Sequence, residues 1–366
     1  MPLERAVRIF GAVQHYDWGG YDFIPSLLGM ENRERRPCAE LWLGAHPAAP
    51  ATAEVAGERV ALDRLVQLPY LLKVLDARGM LSIQAHPNKQ QAVAGFAREN
   101  AAGIPLKAPY RNYRDDNHKP EVHVALTDLW VLHGFRPWEE LGEWRALAPP
   151  AKSIRELYGT VMTMPQARVD EVLKDLVSRL ERQNPTDKDS PDYWALRAAR
   201  EFPGDRGIFS MYLLNLVHLL PGQATYQPAG VLHAYLEGIN VELMANSDNV
   251  LRGGLTTKHV DVEELLRTLS FDGAPPAVIP GERVSANETI YRTEAAEFEL
   301  SRIDAGEFSA RSTGPDMLLV MEGSAMLHCG EESMSLRRGQ SALIPAALNY
   351  ELSGTAVIYR ATLPRS

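Results

Sequence analysis

Histidine, glutamine and glutamate recur in this sequence at spacings that can build a divalent-metal site. The stretch Leu81-Ser82-Ile83-Gln84-Ala85-His86-Pro87 alternates in polarity, and successive side chains of a strand take opposite faces. Ser82, Gln84 and His86 therefore share one face, while Leu81, Ile83 and Ala85 form an apolar reverse. Surface strands carry charges and threonine more than glutamine and histidine, so this row reads as the lining of a cavity, with a satisfied polar face as the plainer alternative. A second segment, His118-Lys119-Pro120-Glu121-Val122-His123-Val124, puts Glu121 and His123 on one face of a strand, and a carboxylate leading into an apolar run needs a partner. A third, Gly230-Val231-Leu232-His233, starts on the glycine of a Pro228-Ala229-Gly230 turn, which allows a tight corner before a strand whose histidine points inward. Gln84, His86, Glu121 and His233 can meet at one ion, and two imidazoles, a carboxylate and an amide oxygen suit zinc or another divalent first-row metal. His123 stands as an extra ligand or as a core histidine.

Basic groups cluster near these positions. Asp248, Arg252 and Lys258 fall within one polar, glycine-containing loop, which suits phosphate or sugar contacts. Its glycine spacing fits neither a Walker nor a Rossmann loop. Lys73 lies in the apolar strand Pro69-Tyr70-Leu71-Leu72-Lys73-Val74-Leu75, where lysine is rarely buried unless paired. The turn Asp76-Ala77-Arg78-Gly79 reads as a hairpin that sets Lys73 beside the Ser82–Gln84–His86 row. Glu40 and His46, in and after the strand Ala39-Glu40-Leu41-Trp42-Leu43-Gly44, read equally as site residues or as an edge-strand charge and a turn histidine.

The elements that position these groups are mostly short strands. Residues 1–75 and 207–270 read as strands and turns, with alternation predicting one strand through 207–220 and a short helix over 262–269. Residues 88–100 read as a helix capped by Asn88. Residues 137–203 change character: segments at 138–147, 153–158, 165–184 and 191–202 have helical spacing, with Val169, Val172, Leu173, Leu176, Val177 and Leu180 as one apolar stripe. This is a helical insertion between two β regions, read as a lid or packing domain. From 271 onward, short alternating strands predict a second β-sandwich, with 323–328 paired to 339–345. The predicted fold is mainly β: a cupin-type β-barrel or jelly-roll catalytic domain at 1-136 and 205-270, a helical domain at 137-204, and a C-terminal β domain at 271-366.

Composition bounds the partners. The 366 residues suffice for two or three domains, and 45% hydrophobic with 23% charged residues is a globular profile. A net charge of -9 argues against nucleic acid, although a pocket can still be locally basic. Two distant cysteines, Cys38 and Cys329, form no metal-ligand spacing and suit a reducing cytoplasm, with a single disulfide between them as the alternative. The first residues contain no apolar run like a signal peptide, and no stretch is long and apolar enough to predict a membrane span.

Four segments taken together are more specific. Ser82 to Pro87, His118 to Glu121, Gly230 to Tyr235, and Ser247-Asp248-Asn249-Val250-Leu251-Arg252-Gly253-Gly254-Leu255-Thr256 resemble, in order, the signatures of the type I mannose-6-phosphate isomerase (phosphomannose isomerase) family. Tyr16 to Gly19, Ala39 to Pro47 and Leu71 to Ala77 are also similar to that family. The resemblance implies one zinc per chain at Gln84, His86, Glu121 and His233. It implies a catalytic Arg252 with His118, Lys119, Glu242 and Asp248 around the sugar, and phosphate contacts from Ser82, Lys73 and Lys258. The implied chain is a cytoplasmic monomer acting on a small sugar phosphate, with no nucleic-acid or membrane partner. Two positions depart from the pattern: His123 is not called for, and Thr257 stands where proline is expected before Lys258.

An aldose–ketose interconversion needs ring opening, proton transfer between neighbouring carbons through a cis-enediol, and stabilisation of the developing oxyanion. Arg252 suits the last because it does not titrate. His118 and Asp248 suit ring opening, and Lys119, Glu242 or a metal-bound water suit the base. Two rivals remain at this level: another metal-dependent cupin enzyme, such as an epimerase or an oxygenase, and a metal-stabilised sugar-binding protein without catalysis.

Overall fold

Alternation in the sequence becomes alternation between two packed layers. The structure, a computed structural model, describes residues 3–364. Residues 1, 2, 365 and 366 of the domain spans above, and the Met1-Pro2 start of the N-terminal reading, lie outside them. The described residues form two ten-stranded sheets with antiparallel pairing and a set of helices inserted into the first.

The site-bearing sheet is organised around the long strand His233–Ala245. Its first half pairs with Leu129–Phe135 and with Ile83–Ala85. Its second half pairs with Tyr70–Ala77 and Glu121–Ala125. The changeover falls at Gly238, whose φ of +131 suits glycine and where an added Cβ would lie 2.5 Å from the Asp128 carbonyl oxygen. One strand thus feeds two facing groups of strands. The predicted closed barrel is not formed: the strand path ends at Leu214–Leu219 on one side and Ala12–Gln14 on the other. The sheet folds over at this long strand instead of closing.

Each group of strands has an apolar reverse with its own cover. Leu72, Val74, Val122, Val124, Val241 and Leu243 pack with Met317, Leu319, Leu343 and Tyr359 of the second sheet. Ile83, Ala85, Leu232, Ala234 and Leu251 pack with Phe209 and with Leu157, Tyr158 and Trp194 of the helical insertion. The space between the two groups is apolar at one end, with Leu75, Ala77, Ala125, Val131 and Leu219. At the other end it is polar, and the site lies there.

Several sequence expectations change. Tyr70–Ala77 and Ile83–Ala85 do not form a hairpin; they belong to opposite groups, and the link between them is Gln84 opposite His233 and Lys73 opposite Glu242 on the same long strand. The predicted strand over 207–220 begins instead as a 3-10 turn and a helical turn, Arg206–Phe209 and Ser210–Leu213, before the strand Leu214–Leu219. Residues 207–214 are all buried, and an apolar run buried on every side has no period to read. In the second sheet Ser324–Cys329 pairs with Glu332–Arg337, while Ser341–Ile344 pairs with Asp316–Leu319. The N-terminal strand Val7–Phe10 lies between Ser341–Ile344 and Thr52–Val55, so this sheet draws on both ends of the chain. The Asn88 cap forms as expected, as a capping box with Gln91 on the helix Lys89–Ala101. No described helix is long and apolar enough to cross a membrane.

Candidate active site

Two cross-strand rows face each other across the polar end. In one, Arg252 stands opposite Gln84, Gln84 opposite His233, and His233 opposite His133. In the other, Trp42 stands opposite Lys73, Lys73 opposite Glu242, Glu242 opposite His123, and His123 opposite Thr225. Between them is a cleft of about 890 Å³.

His86, Glu121 and His233 converge at its floor, each at most 2% exposed. Their ligand atoms all lie within 4.8 Å of one another. His86 Nε2 is 3.6 Å from Glu121 Oε1, and His233 Nε2 is 3.3 Å from Glu121 Oε2. The other nitrogen of each ring is fixed: His86 Nδ1 donates to the Asn249 carbonyl at 2.7 Å and His233 Nδ1 to the Val231 carbonyl at 2.9 Å. Both Nε2 lone pairs are thereby aimed inward. His86 Nε2, His233 Nε2 and Glu121 Oε2 are buried without a hydrogen-bond partner. Three orphaned donor atoms pointing at one another are costly unless a cation sits among them, so this donor set fits a divalent metal. Gln84 lies beside His233 across the strands and on the cleft wall, at the same end.

The electrostatics agree. Burial pushes the Glu121 carboxyl up, but Lys119 and the two imidazoles outweigh it and hold it well below the usual carboxylate range. Burial pushes His86 down to about 4, which keeps its ring neutral and able to ligate. Lys119 Nζ lies 3.1 Å from Glu121 Oε1.

Lys73 is placed differently from its predicted phosphate role. It is buried, 2.9 Å from Glu242 Oε2 and 3.7 Å from Glu40 Oε2, so its charge is already met. Burial alone would lower it, but these carboxylates raise it above the ordinary lysine value. Glu242 is equally engaged, since its Oε1 accepts from the Tyr235 hydroxyl at 2.7 Å. His118 also departs: its Nε2 is 2.5 Å from Glu297 Oε1, and it is not among the residues lining the cleft. Lys119 shares the parity of Glu121 and turns inward; His118 has the opposite parity and turns out. His123 is not a ligand. Gln227 Nε2 donates to its Nδ1 at 2.8 Å and its Nε2 faces Thr225 Oγ1 at 3.0 Å, and burial pushes it down to about 3.

Ser82, Asp248, Arg252 and Lys258 all line the cleft. Two further groups join them. His46 is buried, with Nε2 3.5 Å from Asp248 Oδ1 and Nδ1 accepting from the Ala48 N–H at 3.3 Å, which assigns the proton to Nε2. Its signal was present in the sequence: Ala45-His46-Pro47 repeats the Ala85-His86-Pro87 ending of a strand. Arg114, in the loop before His118, also lines the cleft, and no spacing marked it.

Fold and site together define a β-sheet protein with a metal-ready His₂Glu centre at the floor of a cleft ringed by cations. Residues 7–138 match the model of the phosphomannose isomerase type I catalytic domain, and residues 140–214 that of its helical insertion domain. A mannose-6-phosphate isomerase of Escherichia coli K12 is 36% identical over 374 residues, covering 93% of this chain and 94% of that protein. One from Arabidopsis thaliana is 31% identical, covering 98% and 94%. The crystal structure of the Salmonella typhimurium mannose 6-phosphate isomerase bound to fructose 6-phosphate and zinc superposes with a TM-score of 0.88 at 33% identity, covering 99% of this chain and 100% of that one. The chain belongs to the type I phosphomannose isomerase family.

Proposed function

We propose that this protein is a zinc-dependent aldose–ketose isomerase that interconverts mannose 6-phosphate and fructose 6-phosphate through a cis-enediol. The observation that carries the reading is the trio of orphaned, buried ligand atoms on His86, Glu121 and His233, set beneath a cleft where Arg252 and Lys258 have no ion pair among the described residues. Family membership and the zinc- and fructose 6-phosphate-bound relative support it. One zinc per chain is held by Gln84, His86, Glu121 and His233. When bound, it supplies Lewis-acid polarisation of sugar oxygens.

The chain's own residues do the rest. Arg252, opposite Gln84 on the neighbouring strand, holds a permanent charge where the enediolate oxyanion develops. Asp248, with the His46 N–H beside it, moves the proton needed for ring opening, without the help first expected from His118. Both Glu242 oxygens are taken by Lys73 and Tyr235, whereas Lys119 has Glu121 as its ion-pair partner and a face toward the cleft. Lys119 is therefore the better placed group to move the proton between C1 and C2, and Glu242 keeps Lys73 in place. Ser82 and Lys258 receive the phosphate.

Residues 1-136 and 205-270 make up the catalytic unit, a cupin-like arrangement of two facing strand groups, with 137-204 as the helical insertion and 271-366 as the C-terminal β unit. The chain works as a monomer on a small sugar phosphate in the cytoplasm, without nucleic acid or membrane. Its free cysteines suit that compartment. A coupled assay of fructose 6-phosphate formation tests the reading: turnover stops on chelation and returns with zinc. Turnover that survives full metal removal, or a zinc-loaded chain that leaves mannose 6-phosphate unchanged, would sink it.

A further inference from the structure

We infer that Arg114 is a phosphate ligand of the substrate, acting with Lys258 at the end of the cleft next to Arg252. The inference rests on the isomerase reading above and names a group that reading did not contain.

The cleft's cations divide into two sets. Lys73 is matched by Glu242 and Glu40, Lys119 by Glu121, Arg111 by Glu99, and Arg197 by Glu237 and Glu201. Arg78 at the rim donates to the Gly19 carbonyl and lies over the Tyr21 ring. Arg114, Arg252 and Lys258 line the same cleft and have no ion pair among the described residues. They act on one another: burial and then Arg114 push Arg252 down, and burial, Arg252 and Arg114 push Lys258 down. Carboxylates outnumber lysine and arginine by 47 to 38 in this chain, so three neighbouring cations without one form a distinct local arrangement. Mutual repulsion of this kind is relieved by a dianion.

The backbone of Arg114 is placed as firmly as the metal ligands. Its N–H donates to Asn249 Oδ1 at 2.7 Å, and Asn249 is fully buried. The carbonyl of the same Asn249 accepts from His86 Nδ1. Beside Arg114, Asp115 Oδ2 accepts from the Asp248 N–H at 2.7 Å, which ties this loop to the segment leading to Arg252. One buried asparagine thus sets the position of the Arg114 backbone relative to the metal end. A planar guanidinium can bind two phosphate oxygens at once, which Lys258 cannot. Because Lys73 is committed to Glu242 and Glu40, Arg114 takes over the second charge that the phosphate needs.

The test uses the full, zinc-loaded chain and the variant Arg114→Gln. The KM for mannose 6-phosphate should rise about 10- to 100-fold, the range for losing a hydrogen bond to a charged group. Calorimetric affinity for inorganic phosphate should fall by a similar factor, and Arg114→Lys should recover part of both. Arg33→Gln, on an exposed arginine that does not line the cleft, should change neither. Calorimetry does not need turnover: a wild-type chain that binds phosphate through Arg114 yet fails to isomerise would sink the isomerase reading alone. KM and phosphate affinity both within twofold of wild type would overturn the assignment of Arg114. So would a joint loss of zinc and melting temperature, which would make it part of the scaffold.

Discussion

Two regions of this molecule bury charge, and they do so in opposite ways. In the second sheet Arg360 is 1% exposed. It pairs with Glu288, and its Nη1 lies 3.3 Å from the Tyr350 hydroxyl. Tyr350 donates to Asp316 Oδ2 at 2.8 Å, and Thr362 donates to Asp316 Oδ1 at 2.5 Å. That network supplies its own counter-charges. At the cleft floor His86, Glu121 and His233 are as deeply buried, yet each leaves a ligand atom unpartnered toward the others. The same polypeptide therefore meets a buried charge with counter-charges in the second sheet and leaves three buried ligand atoms open toward one another at the cleft floor. The cleft repeats the contrast on a smaller scale: Lys73 is matched, while Arg252 and Lys258 have no ion pair among the described residues.

If that difference is real, breaking each region should give a different phenotype. The largest effect is expected for Glu121→Ala, which removes the carboxylate between two imidazoles. Zinc content should fall from one per chain toward zero, and turnover should drop by more than the roughly 10²- to 10³-fold that a single oxyanion donor is worth. Elemental analysis beside the coupled assay reads both. Next is Arg252→Ala, with turnover down about 10²- to 10³-fold while zinc content and melting temperature hold. Loss of folding instead would place Arg252 with the scaffold.

Arg360→Met should do the reverse. Leaving Glu288 and Asp316 without their buried arginine should cost about 3–5 kcal/mol in urea unfolding, with turnover per folded molecule retained. A catalytic defect at unchanged stability would erase the distinction drawn between the two regions. The smallest effect is in the pH dependence of stability. Burial pushes His123 down to about 3 and His133 to about 4, from an ordinary 6.5. Both are neutral when folded, so their contribution is fully present above pH 6.5. It declines as pH falls through about 4 for His133 and about 3 for His123, by at most about 1.4 kcal/mol per pH unit for each. Urea midpoints across this range check it, and His123→Gln should remove its share of the slope.

Much of this was legible in the sequence, for definite reasons. Strand parity put Gln84 and His86 on one face and Glu121 and His123 on another, and neither inference needs a partner strand. What parity cannot supply is which strand lies alongside. Lys73 was expected beside Ser82 through a hairpin, but it reaches the cleft on a strand paired to one 169 residues away, where Glu242 claims the lysine. His118 was drawn toward the sugar by its neighbours in the motif, although its parity opposes theirs. His46 and Arg114 sit in loops, where no period marks direction, and their roles emerge from contacts with Asp248 and Asn249. The helical turns over 206–213 were hidden by uniform burial. The open sheet was hidden because closure is a property of edge strands far apart in the chain.

The most direct test of the central claim is a zinc titration of the chelated protein with turnover of mannose 6-phosphate as readout. If the orphaned His86, Glu121 and His233 atoms are the metal centre, activity rises linearly from near zero and breaks at one zinc per chain. Activity in the metal-free chain, or a titration that saturates with zinc while Glu121→Ala follows the same curve, would contradict it.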